Sequence, residues 1–453
     1  MLTGLRAFLL SSSESGRLKA HPDGAMVWNE AGRIAFAGNW KDRPPDERIR
    51  WEDQSGKLVT PGFIDVHCHL PQYPVVACGG QELLPWLKKY IFPCERAFRP
   101  EKAKTEAPLF FSELKRHGIT SAAVYTTIDA ESTEVCFQAA AVSRLRITMG
   151  QMMMDVDSYA PKPHKNLTHR ALDESANLCQ KWHQANGGRL TYAFSPRFAL
   201  TCSATLLREC SKLATEAGAF IQTHLAENRA ELIAVKNLFP SATDYTHVYE
   251  RSGLLGPQTI MGHAIYLSAR EYRALAATET KVAHCPSSNL FLRSGVMAYD
   301  RMRKNRITVG LASDVAAGSE LNPWEVMKAA SYSQNLRSCY IKNAETFSPA
   351  ELFHLATVGG AAVLGKAAEI GQLRKGSLAD CVLWNTESML PYKSELPHNA
   401  NQLVSLLIYR GARLEATKVW VAGEVVWPEA NAGSRPLSEP LARSQAFSDG
   451  RSC

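Results

Sequence analysis

The chain is predicted to be an α/β protein, a distorted (β/α)8 TIM barrel with a small β-sandwich formed by its N- and C-terminal segments, and three observations predict it. Apolar strand candidates alternate with helical patterns near residues 62–67, 119–126, 146–152, 190–195, 219–224, 259–263, 280–284 and 307–313. Residues able to bind a metal recur where such strands stop, in PGFIDVHCHLPQY (61–73), FIQTHLAE, TIMGHAIYL and ITVGLASD. Both chain ends read instead as short strands separated by turns. Eight βα units close a parallel barrel whose loops gather on one rim, where sites of this architecture lie. A doubly wound open sheet also accommodates eight strands, but no Gly-x-Gly-x-x-Gly follows the first strand, so a dinucleotide fold loses support.

Taken in order, residues 1 to about 60 alternate LRAFLL, GAMVWNEAGRIAFAG and SGKLVTPG, a pattern of strands and hairpins. Helical stretches such as AKTEAPLFFSELKRHG and SATLLRECSKLATEAG then separate several of the barrel strands. The far end returns to the first style in GSLADCVLWN (376–385) and ATKVWVAGEVVW (416–427), the latter a hairpin around Ala422-Gly423-Glu424. The expected organisation is a composite β-sandwich from 1–61 with 370–430, a barrel over 62–369, and a loosely ordered tail from Asn431 to Cys453, rich in Ser, Arg and Pro.

With 453 residues, 45% of them hydrophobic, the chain can bury a full core, which excludes a disorder-dominated protein. Its net charge of +7 comes from 51 basic and 44 acidic residues that are interspersed, without a basic tract, so a nucleic-acid role is not indicated. Eleven cysteines without a C-x-x-C pair fit reduced thiols in a cytoplasmic enzyme better than a disulfide framework. The N-terminus is too short in its apolar patch for a signal peptide, and no run of about 18 apolar residues offers a membrane span.

His67 and His69 stand two apart in a strand and so share a face, where two neutral imidazoles can reach one cation at roughly 2.0–2.2 Å. His224 and Asp314, each at the end of a later strand, complete a candidate set for one divalent ion with a position left for water, whose pKa such an ion lowers toward roughly 7. Glu227, three residues past His224, would then handle protons beside the metal; the plainer reading is a carboxylate at a helix start. His263 is a further ligand or a group that polarises the water, and Asp314 can also take a proton. A second ion needs a bridging ligand, and the fourth strand closes on Ser195-Pro196-Arg197 with no lysine, so one ion is expected. Imidazole and carboxylate suit several divalent ions; zinc is the default and iron is possible.

Beyond these ligands, the segments PGFIDVHCHLPQYP, LPWLKKYIFPCE, SPRFALTCS, THLAEN, GHAIYLS, HCPSSNLFLRSG and ASDVAAG give nearly the whole chain a resemblance to the amidohydrolase superfamily. Gln72, Leu84-Pro85-Trp86-Leu87 and Phe92-Pro93-Cys94-Glu95 make it similar to the guanine-deaminating branch. That resemblance implies a homodimeric enzyme of purine breakdown in which Gln72, Arg197 and Phe198 hold the purine base, with His224 and Glu227 also facing it. It implies hydrolysis of guanine to xanthine and ammonia by a metal-activated hydroxide, with Glu227 as proton shuttle and His263 and Asp314 assisting. The nearest rivals are a superfamily member acting on 8-oxoguanine, a pterin or an aminotriazine such as ammeline. A non-enzymatic scaffold on the same barrel is the remote one, since every expected ligand is present.

Overall fold

A computed structural model describes residues 2–159, 166–390 and 395–428; the tail expected from Asn431 onward lies outside the described residues. In chain order the strands are β1 (Leu2–Ser12), β2 (Leu18–Trp28), β3 (Ile34–Asn39), β4 (Ile49–Pro61), β5 (Phe63–His69), β6 (Ile119–Tyr125), β7 (Arg146–Gly150) and β8 (Met152–Met153). They continue with β9 (Leu190–Pro196), β10 (Phe220–Leu225), β11 (Thr259–His263), β12 (Lys281–His284), β13 (Val309–Leu311), β14 (Cys381–Trp384), β15 (Ala416–Val421) and β16 (Glu424–Trp427).

Two sheets result. Strands β5, β6, β7, β9, β10, β11, β12 and β13 are hydrogen-bonded side by side in that order and all parallel, with the short β8 paired to β9. This is the nearly closed barrel expected from the sequence, and its strands are buried along their whole length in β5, β6, β9, β10 and β11, as a sheet covered on both faces requires. Helices such as Pro100–Arg116 and Ala204–Ala217 connect consecutive strands. The ring is shut between β5 and the residues after β13. There Asp314 N donates to His67 O at 2.9 Å and His69 N donates to Val315 O at 3.0 Å. Asp65 braces the same seam, accepting from His67 N and Ser313 N, each at 3.1 Å, and from Ser313 Oγ at 2.5 Å.

The second sheet joins the two chain ends in the order β16-β15-β14-β4-β1-β2-β3. Its neighbours are antiparallel except β1 and β4, which run parallel. Only Gly62 separates β4 from β5, so the sheet hands the chain directly to the strand carrying His67 and His69. Arg146 at the start of β7 grips Asp380 at 2.7 and 3.3 Å, and Asp380 also accepts from Ala422 N at 2.6 Å, tying barrel to sheet. Beneath this junction the Phe63 ring packs edge-on against Trp324 at 4.8 Å and lies 5.9 Å from Trp384. Each such fully buried large side chain contributes roughly 1.5–3 kcal/mol of transfer free energy. All described cysteines are free thiols, and among the described residues no helix is long and apolar enough to cross a membrane.

Candidate active site

Six side chains expected to act together meet at the mouth of the barrel. His67 and His69 come from β5, His224 from β10 and His263 from the last position of β11; Glu227 follows β10 and Asp314 follows β13. All six are buried. Cys68, between the first two histidines, points to the opposite face, with its thiol 3.5 Å from Ala123 O on β6. Backbone at the strand ends is bent to serve this convergence: Ala226, His263, Ala264 and Asp314 all have positive φ, between 48° and 68°. Non-glycine residues in that region cost on the order of 1–3 kcal/mol each and concentrate where a site over-determines them. Gly262 on β11 has a different reason, because a Cβ there would lie 2.7 Å from the ring of His67.

The geometry fits one divalent cation. His67 Nε2 and His69 Nε2 are 3.2 Å apart, His69 Nε2 and His224 Nε2 3.3 Å, and Asp314 Oδ1 is 3.2 and 3.3 Å from the nitrogens of His67 and His69. A tetrahedral shell with bonds of about 2.0–2.1 Å sets ligand atoms roughly 3.3–3.4 Å apart, which matches. Burial lowers the pKa of His67, of His69 to about 4, and of His224 well below its usual value, so these rings present lone pairs rather than positive charge. Lone pairs and a carboxylate gathered this closely are the donor set that a divalent cation binds.

Ring orientation is fixed from behind. His224 Nδ1 donates to Arg197 O at 2.6 Å and His263 Nδ1 to Asn289 Oδ1 at 2.9 Å, which turns both Nε2 atoms inward as acceptors. His263 Nε2 is buried with no hydrogen-bond partner among the described residues and faces Glu227 Oε2 at 3.5 Å and Asp314 Oδ2 at 3.6 Å. It therefore stands just outside the four closely spaced atoms, while with His67, Cys285 and Asp314 it forms a second group whose ligand-type atoms lie within 4.8 Å of one another.

Glu227 is not the helix-start carboxylate of the plainer reading. Asn228 caps the helix Arg229–Leu238, with Glu231 completing the capping box and accepting from Glu227 N at 2.8 Å. This frees the Glu227 side chain for the barrel mouth, where Ser294 Oγ donates to its Oε1 at 3.1 Å. Burial, aided by the charge of Asp314, pushes the Glu227 pKa up to about 8. A carboxyl group with such a value can both take and give a proton near neutral pH.

The cavity above these groups has an apolar wall of Leu83, Trp86, Leu87, Phe198 and Leu292 and a polar wall of Gln72 and Arg197. Arg197 follows β9, and its guanidinium lies 5.1 Å over the ring of Phe92. Gln72 comes from the 3-10 turn Leu70–Val75 directly after β5. Between them sits Glu95, which takes Gln72 Nε2 at 2.8 Å and Arg197 Nη1 at 2.5 Å. Sequence reasoning gave no role to Glu95, Asp65, Asn289 or Ser294. Each lay inside a quoted segment, and Asp65 carried a direct signal, being two residues before His67 and therefore on the same strand face.

The Amidohydrolase family matches residues 58–426. Guanine deaminase of Escherichia coli (strain K12) is 34% identical over 366 residues, covering 80% of this chain and 81% of the relative. The solved structure of E. coli guanine deaminase superposes with a TM-score of 0.86 at 30% identity, over 94% of this chain and 99% of that one. Guanine deaminase from C. acetobutylicum, solved with guanine bound in the active site, gives a TM-score of 0.86 at 26% identity over 94% of this chain and 100% of that one. The chain belongs to the amidohydrolase family.

Proposed function

We propose that this chain is a guanine deaminase, hydrolysing guanine to xanthine and ammonia; the observation that carries the reading is a buried three-histidine, one-aspartate cluster opening into a cavity with one apolar and one polar wall beside Glu227. The match to guanine deaminases along most of the chain supports it, and the rival substrates 8-oxoguanine, pterins and aminotriazines are not favoured. His67, His69, His224 and Asp314 would hold one divalent ion per subunit, zinc on the strength of the donor set and its tetrahedral spacing, with iron the alternative. When bound, such an ion supplies a water of lowered pKa and neutralises charge developing on the attacking oxygen.

The chain's own residues do the remaining work. Arg197, Gln72 and the wall formed by Phe198 and Trp86 orient the base, with its amino-bearing carbon toward the histidine cluster. His263, with its Nδ1–H committed to Asn289, accepts a hydrogen bond from the attacking water and aims it. Glu227 takes the first proton of that water and delivers it to the ring nitrogen next to carbon 2, which makes the carbon electrophilic. A C–O bond then forms at carbon 2. Asp314 accepts the second proton, the amino group is protonated in turn, and the C–N bond breaks to release neutral ammonia. Positioned acid–base groups of this kind contribute about 100- to 10,000-fold.

A homodimer is supported by the helix Pro323–Tyr340, which exposes Tyr332, Leu336 and Tyr340 at a spacing of one helical turn each. Scattered free thiols favour the cytoplasm, where the reaction serves purine breakdown. The test is ammonia release from guanine, 8-oxoguanine, adenine, cytosine and ammeline by the metal-loaded protein. Guanine should be turned over far faster than the rest; a preference for ammeline or adenine would overturn the reading.

A further inference from the structure

We propose that Glu95 is a positioning residue that sets the donor–acceptor pattern of the pocket: one carboxylate oxygen locks Arg197 as the donor, and the other turns Gln72 so that its amide oxygen is the acceptor. The pocket thereby selects a purine carrying a ring carbonyl next to a ring N–H. The inference rests on the reading of this cavity as a purine site.

The argument begins with burial. Glu95 is 1% exposed, Gln72 2% and Arg197 3%, so none of the three can rearrange through solvent. An ionised carboxylate only accepts, and an amide offers a donor end and an acceptor end. Beside Glu95 Oε1 the Gln72 amide must therefore place its nitrogen toward the carboxylate, as the 2.8 Å contact records, and its oxygen on the other side. Without that carboxylate the amide could sit either way round, and the pocket would read two opposite patterns equally well.

Arg197 is constrained by the same group. Its Nη1 is held at 2.5 Å by Glu95 Oε2 and its guanidinium is stacked on Phe92, which leaves the remaining N–H groups as the pocket's donors. Glu95 is itself fixed within the helix Phe92–Ala97, where its carbonyl accepts from Thr127 Oγ1 at 3.3 Å. One buried carboxylate thus orients two base-contacting side chains that are 125 residues apart in the chain. A site built to pair a substrate's polar edge rejects analogues lacking that edge, because its buried groups are then left unpaired.

Hypoxanthine and purine separate this inference from the deaminase reading, since neither carries an amine at carbon 2 and only hypoxanthine has the carbonyl and the adjoining N–H. Their dissociation constants for the metal-loaded protein can be followed by tryptophan fluorescence, Trp86 lying in the pocket wall. The wild-type protein should bind hypoxanthine at least about 100-fold tighter than purine. Glu95→Gln, isosteric but uncharged and able to donate, should weaken hypoxanthine by about 10- to 100-fold while purine changes by less than about threefold. Should Glu95→Gln fail to fold, Gln72→Met decides: it leaves the Glu95–Arg197 pair intact and should narrow the same preference. Equal weakening of both ligands, or no wild-type preference for hypoxanthine, overturns the inference. If the hypoxanthine preference collapses as expected but guanine yields no ammonia, the deaminase reading fails and this one stands.

Discussion

Glu227 and His67 belong to one buried cluster yet should fail in different ways when replaced. Glu227 Oε2 is 3.5 Å from His263 Nε2, whereas His67 Nε2 is one of the four closely spaced ligand atoms. Glu227→Gln keeps the shape and removes the proton carrier, so kcat should fall about 100- to 10,000-fold with metal content unchanged by elemental analysis. His67→Ala should instead purify with little or no metal, and its activity should not return on adding more. Near-normal turnover in Glu227→Gln would remove the proton-shuttle role. At this scale the sequence disclosed the residues whose chemistry is intrinsic: histidines two apart in a strand, and acids placed where strands stop. It hid those whose role comes from a distant neighbour. Glu95 acquires meaning only from Arg197, 102 residues later, and Asn289 only from His263.

The strand β5 and the loop after β13 meet without a regular ladder, and their joint depends on Asp65. Its carboxylate accepts from two buried backbone N–H groups and one hydroxyl. Asp65→Ala orphans those donors at a cost of about 1–3 kcal/mol each, so the urea midpoint should drop by an amount worth on the order of 3 kcal/mol. Because the same seam carries His67 on one side and Asp314 on the other, zinc affinity in a chelator competition should weaken about 10- to 100-fold. A stability loss with unchanged zinc affinity would mean that the seam does not orient the ligands. Barrel strands were legible as elements because each is a short apolar run bounded by turns and polar strand ends. The closure was not, since it rests on two backbone bonds and one side chain beyond the last ladder pair. The short helices Leu83–Trp86, Leu87–Ile91 and Phe92–Ala97 leave little local signal, because Pro85 and Pro93 interrupt any helical pattern there. A π-helical turn over Leu87–Ile91 carries the chain through to Pro93, and this stretch supplies Trp86 to the pocket wall and Glu95 to the Gln72 and Arg197 that form its polar side.

For the molecule as a whole, period and composition told that both chain ends are strands, but not that β1 and β4 would pair in parallel across a single seven-stranded sheet. Long-range pairing leaves no local period to read. The same packing that buries the barrel interior determines how the protein answers acid. His284, at the end of β12, is 1% exposed with both ring nitrogens unpartnered among the described residues, and burial pushes its pKa down to about 3. The folded state then holds the ring neutral, while the unfolded chain protonates it below about 6.5. Protons therefore favour unfolding: the stability that the neutral ring contributes is complete above about pH 6.5 and is lost progressively as the pH falls toward 3. Each pH unit in that window costs about 1.4 kcal/mol, so roughly 2 kcal/mol should be gone at pH 5. His284→Phe removes the titration while filling the space beside Phe347, whose ring centre lies 6.4 Å away. Urea unfolding of the metal-free wild-type and variant proteins at pH 7 and pH 5 reads the effect as a difference of differences, in which any packing change common to both pH values cancels. The wild type should lose roughly 2 kcal/mol more than His284→Phe between the two pH values. Parallel behaviour of the two proteins would mean that the ring finds a partner for its charge in the folded state, and that the interior beside His263 is wetter than its burial implies.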